Sequence, residues 1–264
     1  MSVDFRLIDF NYVFADSTDI TVSSENPDFP KENLKNFSRS KVFRTSSIAG
    51  TQSIVFDFNT IEEIDSFVLM FDNLSVPKFD TNAVFKLQAS ATNVWVAPPV
   101  DVTLTLDVEK EVISHFFATD QTYRYWRLTI QDATNAYGYF EIPKIYIGRK
   151  IQLTRNPEIG FDFTEEDLSK VEDTAYGHKY FDVYPNRKNL SFQYNLLSFD
   201  NLRLLSDSFA RVGKVSPVVI VMDAGEELFD KDYFLIYGTY MESMKYSHRF
   251  RQYFNLPQTI QELV

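Results

Sequence analysis

The chain has 264 residues, which suits one large or two medium domains, and its 44% hydrophobic residues can fill a sizeable core. Its formal net charge of −11 disfavours binding to nucleic-acid phosphates and to anionic membranes. The absence of cysteine excludes disulfides, thiolate chemistry and cysteine-ligated zinc.

The N-terminal residues are acidic and contain no long apolar stretch, so we expect no signal peptide. No run approaches the roughly 18 apolar residues of a membrane span, and we expect no membrane insertion. We expect synthesis in a host cytoplasm. The 25 Phe and 15 Tyr favour β-structure, because aromatic side chains fit pleated, half-buried surfaces.

Apolar residues recur at every second position through most of the first 150 residues, which predicts β-strands. The clearest alternations lie at 54–58, 85–89, 102–106 and 126–130. Residues 67–71 form a continuous apolar run, typical of a strand covered on both faces. Short strands separated by turn-rich stretches predict a jelly-roll β-sandwich over residues 1–150.

The second half, 151–264, predicts a β-rich assembly domain with one helix. Residues 155–179 are polar and acidic with weak periodicity, and we interpret them as a linker or a long excursion at the domain boundary. The spacing of apolar residues predicts a helix near 199–212, with Ser198 as its N-cap and Gly213 after its last turn. The apolar run 218–222 predicts a buried strand beneath that helix, and further strands are predicted at 233–237 and 249–254.

Several motifs of the first half occur in the order found in one known family. They are Phe29-Pro30-Lys31-Glu32-Asn33-Leu34, Ile54-Val55-Phe56-Asp57-Phe58, the strand Phe85 to Ser90 followed by Trp95, Tyr123-Arg124-Tyr125-Trp126-Arg127-Leu128, and Ile142 to Gly148. Together they resemble the discoidin, or coagulation-factor C-type, domain over about Ser24 to Gly148. The resemblance implies a galactose-binding-like jelly roll whose ligands meet the loops at one end. The chain departs from the family at Phe43, where a Trp is usual, and at Asn59, where a Gly is usual.

Sugar binding is the functional option that this resemblance implies. Aromatic rings stack on the apolar faces of sugars, and Asn, Asp and Arg bond the hydroxyls. By loop position, the candidate carbohydrate-binding residues are Arg44, Asn73, Trp95 and Tyr137. Structural roles stay open for two of them, since Trp95 can cap the core and Asn73 can make a turn. A structural calcium ion also stays open.

No catalytic constellation emerges from the sequence, and we expect no enzymatic activity, no cofactor and no catalytic or metal-binding residue. The three histidines are widely spaced, and there is no Gly-x-Ser-x-Gly elbow or P-loop. Adjacent acids on a strand point to opposite faces, which argues against a catalytic pair within one acidic cluster. Arg124 is expected to pair with Asp57 or another carboxylate in a structural role.

Two further pieces, Asn73-Leu74-Ser75 and the run Pro217 to Asp223 after the helix, resemble phage tail-tip proteins. This resemblance implies a structural component of a phage tail tip or baseplate, located in the virion tail. Such a protein would act through interfaces with other tail proteins and as a homo-oligomer, with a contribution to host-surface attachment. The alternative is a carbohydrate-binding module that recognises cell-surface glycans. A glycan-degrading enzyme is a third, weaker option.

Overall fold

The computed structural model describes residues 5–71, 79–106, 112–154, 157, 161–173, 176, 178–184, 186–222 and 235–263. These residues are mostly β-strand with one α-helix, which confirms the expected fold class. No helix among them is long and apolar enough to cross a membrane. The chain divides into two compact units, Phe10–Lys150 and Met1–Asp9 with Ile151–Val264.

Among the described residues as far as Ile151, the regular elements are strands and two short 3-10 helices, Tyr12–Phe14 and Lys31–Lys35. The strands are β1 (Arg6–Asn11), β2 (Asp19–Val22), β3 (Phe43–Arg44), β4 (Gln52–Met70), β5 (Val84–Ser90), β6 (Val100–Leu104), β7 (Val112–Gln131), β8 (Glu141–Ile142) and β9 (Lys144–Ile151).

Strand β4 is the centre of the first unit. It pairs antiparallel with β7 along most of its length, and β2 and β9 pair with successive parts of its other edge. Strand β7 continues the sheet to β5 and β6, while β3 and β8 form a separate two-stranded sheet. The predicted runs 54–58 and 67–71 both belong to β4, apart from Phe71, which follows its last residue. Shifts in the β4–β7 register keep this one long strand paired across the polar residues between the two runs.

The core of the first unit lies between its two sheets. Phe56, Trp126 and Leu128 contribute buried side chains from the large sheet, and Phe43 and Ile142 contribute them from β3 and β8. Burying each such side chain stabilises the fold by about 1.5–3 kcal/mol. The two sheets therefore close over one apolar interior as a β-sandwich.

The remaining elements belong to the second unit. They are β10 (Asp162–Glu166), β11 (Lys170–Asp173), β12 (Lys179–Asp182), β13 (Arg187–Leu197), α1 (Phe199–Val212), β14 (Val218–Val221), β15 (Leu235–Tyr240), β16 (Ser247–Phe250) and β17 (Tyr253–Glu262). The sheet order is β10-β13-β17-β15-β14-β1, β16 pairs with the first residues of β17, and β11 and β12 form a hairpin.

Helix α1 spans the residues predicted from the sequence. The Ser198 side chain accepts a hydrogen bond from the Asn201 N–H at 3.3 Å, and Gly213 ends the helix with φ of 57°. A positive φ is adopted by glycine at little cost, which explains the residue at this position. The buried side chains Leu202 and Leu205 join the second core.

Two sequence expectations are wrong. Residues 1–9 were assigned to the first domain, but Phe5 and Leu7 are buried in the second core and Arg6 to Ile8 pair with β14. Of the two interpretations of residues 155–179, the linker is wrong, because β10 and β11 lie within them and pair with β13 and β12. The predicted strand at 233–237 begins outside the described residues, and its described part opens β15.

Candidate functional site

One end of the sandwich gathers the loops that carry two of the predicted site residues. Gln52 at the start of β4 lies opposite Ile130, and Val84 at the start of β5 lies opposite Gln131. The loops that precede β4 and β5 and the loop that follows β7 therefore leave the sheet at the same end. The loop after β7 contains Tyr137 and leads into β8.

Arg44 is held at this end by the pairing of β3 with β8, which places it opposite Glu141. Its Nε donates to the buried Glu141 Oε2 in an ion pair. The guanidinium carbon lies 3.7 Å from the ring centroid of Phe29 and 4.8 Å from that of Tyr139. Two aromatic rings and one carboxylate thus fix the guanidinium, and 27% of the side chain stays exposed.

Tyr137 extends this arrangement towards solvent. Its ring centroid lies 6.1 Å from that of Tyr139, and the residue is 38% exposed. The Asn135 side chain accepts a hydrogen bond from the Tyr137 N–H at 2.9 Å, and Gly138 follows with φ of 72°. Arg44, Tyr139 and Tyr137 therefore form a row from a fixed cation to an exposed ring. We call Phe29, Arg44, Tyr137, Tyr139 and Glu141 the Arg44 cluster.

Polar side chains support the loop that carries Tyr137. Asp132 Oδ2 accepts from the Asp80 N–H at 2.9 Å, and the Thr134 hydroxyl donates to Asp80 Oδ2 at 2.9 Å. Hydrogen bonds, first from Thr134 and then from the Asn82 N–H, lower the pKa of Asp80. These bonds connect the loop after β7 to the loop before β5 and hold the carboxylate in its charged form.

A buried lysine stabilises the segment that leads into β3. Lys144 Nζ donates to the carbonyl oxygens of Asn33 at 3.2 Å and Lys41 at 3.0 Å. Burial and, to a smaller extent, the charge of Arg39 together lower the pKa of Lys144 to about 7. Lys144 therefore anchors the chain shortly before Arg44.

The structure does not bring Trp95 to the Arg44 cluster. Trp95 lies in the loop after β5, which leaves the sheet beside the pair Ser90 and Tyr125, at the other end of the β5–β7 ladder from Gln131. Its Nε1 donates to Asn93 Oδ1 at 2.9 Å, and the Arg127 guanidinium lies 4.3 Å from the centroid of its ring. The expectation of a shared loop end is therefore wrong for Trp95. Asn73 lies outside the described residues.

Arg124 makes the pair with Asp57 that the sequence predicts. Its Nε and Nη2 donate to the two carboxylate oxygens at 2.6 and 2.8 Å. This bidentate hydrogen bonding is the largest cause of the lowered pKa of Asp57. Among the described residues, no group of three or more His, Asp or Glu side chains is arranged to hold a metal ion.

The sequence analysis missed Phe29, Tyr139 and Glu141 as members of the cluster. Tyr137, Tyr139 and Glu141 alternate along the chain, and this period-two pattern was the available signal. No sequence pattern places Phe29 beside Arg44. Their contact depends on a backbone hydrogen bond from the Arg44 N–H to the Phe29 carbonyl.

No protein-family model matches the chain, and no curated protein matches it. Solved structures do resemble it over about half its length. The family 32 CBM from C. perfringens NanJ, in complex with galactose, is 13% identical with a TM-score of 0.44 and covers 54% of this chain and 99% of its own. CpGH89CBM32-6 produced by Clostridium perfringens is 17% identical with a TM-score of 0.42, covering 53% and 99%. Chitosan-binding module 1 from a Paenibacillus sp. IK-5 chitosanase/glucanase is 12% identical with a TM-score of 0.41, covering 53% and 99%.

Proposed function

We propose that the unit Phe10–Lys150 binds a carbohydrate at the Arg44 cluster. The observation that carries this proposal is the half-exposed ring of Tyr137 beside a guanidinium that its neighbours hold in place. In the described part of the chain, Nε of Arg44 bonds Glu141, while Nη1 and Nη2 make no hydrogen bond. The cluster therefore offers a flat apolar surface next to fixed donors.

Sugars present the matching chemistry. A pyranose ring has an apolar face of C–H groups that can cover Tyr137, and its hydroxyl oxygens accept hydrogen bonds from the Arg44 Nη groups. Because the guanidinium is already stacked, little side-chain entropy is lost on binding. The cluster contains one carboxylate, Glu141, which is buried and paired with Arg44. Hydrolysis of a glycosidic bond needs two carboxylates across the sugar, so the cluster supports binding rather than catalysis.

The test is a glycan array followed by calorimetry on the purified chain. We expect Tyr137→Ala to weaken binding of a glycan hit by at least about tenfold, which equals about 1.4 kcal/mol. Tyr137 is suited to this test because its exposed ring can be removed without opening the core.

Trp95→Ala is the matched control, since it removes an aromatic ring at the opposite end of the β5–β7 ladder. It should bind the glycan as the unmodified chain does. An array without hits, or binding that is lost with Trp95 and kept without Tyr137, would refute the proposal.

A second candidate function is that of a non-catalytic structural component of a phage tail tip or baseplate. It is favoured by exposed aromatic residues around the β11–β12 hairpin, where Tyr176 is 90% and Phe181 60% exposed. Large exposed aromatic side chains are typical anchors of protein interfaces. Immunogold labelling of purified phage particles that encode the chain should mark the tail tip. Particles that carry no label, confirmed by mass spectrometry to lack the chain, would end this candidate.

A further inference from the structure

A basic hairpin protrudes from the second unit of this acidic protein. We define the basic hairpin as residues 245–251, which include β16. It carries Lys245, Arg249 and Arg251 and no acidic residue, and all seven residues are exposed. Among the described strands, β16 pairs with the start of β17, and the His248 ring also bonds the Arg251 carbonyl. The hairpin therefore presents a compact positive charge to solvent.

An acidic arm protrudes elsewhere in the same unit. We define the acidic arm as the described residues from 161 to 184, which include β10, β11 and β12. They carry seven acidic side chains and two lysines. Glu165 on β10 and Glu172 on β11 are exposed, and all of β11 is exposed. The arm therefore presents the charge opposite to that of the basic hairpin.

The two surfaces lie at opposite ends of strand β17. The basic hairpin pairs with Tyr253 to Asn255, whereas Thr164 of the arm lies opposite Asn189, which lies opposite Gln261. The nearest acid of the arm, Asp162, lies at the level of Thr259, four strand residues from Asn255. Each residue rises roughly 3.3 Å, so the separation along the sheet is on the order of 13 Å or more. This exceeds the Debye length of roughly 8–10 Å at physiological salt. The charges cannot pair within one copy.

We propose that the chain self-associates by docking the acidic arm of one copy onto the basic hairpin of another. Each copy then offers one surface of each kind, so the contact is head-to-tail and builds a ring if the rotation between copies closes. The two lysines of the arm lie opposite Asp182 and Asp173 across the β11–β12 ladder, and Glu166 pairs with Arg187. This leaves Asp162, Glu165, Asp167 and Glu172 for a partner. Charge complementarity of this kind steers association and sets its register.

Both surfaces also carry exposed aromatic rings that can anchor the contact. Tyr180 and Phe181 lie on the arm, and Tyr246 and Phe250 lie on the hairpin. Burying such rings between the copies supplies the apolar centre that a charged rim alone lacks. The inference concerns only the unit that contains Ile151–Val264 and does not depend on sugar binding. It shares the arm with the tail-tip candidate but names another copy of the chain as its partner.

The test is sedimentation velocity of the purified full chain at low and high salt. We expect a mass above the 30.8 kDa monomer at about 50 mM salt and a lower mass at about 500 mM, because salt screens exposed charges. Two charge-reversed variants, Lys245→Glu with Arg249→Glu and Glu165→Lys with Glu172→Lys, should each be monomeric. Mixing them should restore association, because each reversed surface now complements the other.

Arg203→Glu with Lys214→Glu is the matched control, since it reverses two exposed charges on and just after α1. It should keep the unmodified mass, and circular dichroism should show all variants folded. A monomeric unmodified chain at low salt, unchanged masses in both reversed variants, or a mixture that stays monomeric would overturn the inference. Failure of virion labelling would not affect these masses, so the two proposals fail separately.

Discussion

Lys144 places an ionisable group inside the first unit, where it donates hydrogen bonds to the carbonyl oxygens of Asn33 and Lys41. Its pKa of about 7 in the folded chain compares with 10.5 for an ordinary lysine. Between these two pH values the unfolded chain binds more protons than the folded chain. The free energy of unfolding should therefore rise with pH from about 7 upwards, by at most about 1.4 kcal/mol per pH unit.

We expect Lys144→Met to remove this rise. The check is the free energy of unfolding in urea at pH 6, 7.5 and 9, a range in which tyrosines keep their protons in both states. Lys214→Met, which removes an exposed lysine, should leave the slope unchanged. If the free energy of unfolding of Lys144→Met depends on pH as that of the unmodified chain does, Lys144 does not titrate between pH 6 and 9.

The site could be predicted in part at the level of single residues. Arg44 and Tyr137 were chosen by loop position, and the structure brings them together through Tyr139. Glu141 could not be found this way, since it is 97 residues from Arg44 and meets it only through the β3–β8 pairing. Trp95 was misplaced because loop position does not tell at which end of a strand a loop leaves the sheet.

Helix α1 shows what local chemistry can predict for a whole element. Ser198 accepts the Asn201 N–H, one of the four N–H groups at a helix start that have no partner within the helix. We expect Ser198→Ala to lower the free energy of unfolding by about 1 kcal/mol. Urea unfolding of both forms measures this difference.

Ser206→Ala is the matched control for the cap. Ser206 is exposed in the middle of α1, where alanine has the higher helix propensity, so this change should be neutral or slightly stabilising. If Ser198→Ala and Ser206→Ala lower the free energy of unfolding equally, Ser198 does not act as a cap.

Other elements escape prediction because they lack a buried face. Strands β10 to β12 are mostly exposed and polar, so neither period-two alternation nor a capping residue distinguishes them from a linker. Their hydrogen-bonding partners, not their side chains, make them strands. Strands with a buried face, such as β5 and the central part of β4, were recognised from the alternation or run of apolar residues.

The residues that the structure describes form two separate apolar cores, one in each compact unit. We expect two cooperative unfolding transitions, one for each core. Leu128→Ala in the first core and Leu256→Ala in the second should each cost about 2–5 kcal/mol, because both leucines are fully buried. Calorimetry should show each substitution shifting a different transition. A single transition that both substitutions shift equally would contradict this expectation.

The pairing of β1 with β14 has a consequence for synthesis on the ribosome. Arg6 is translated 215 residues before its partner Val221. At roughly 5–20 residues per second, the nascent N-terminal segment waits about 10–40 s for its place in the sheet. All of Phe10–Lys150 is translated during that interval and can fold first. A stretch containing Phe5, Leu7 and Ile8 is thus open to chaperones until the residues of β14 have been translated.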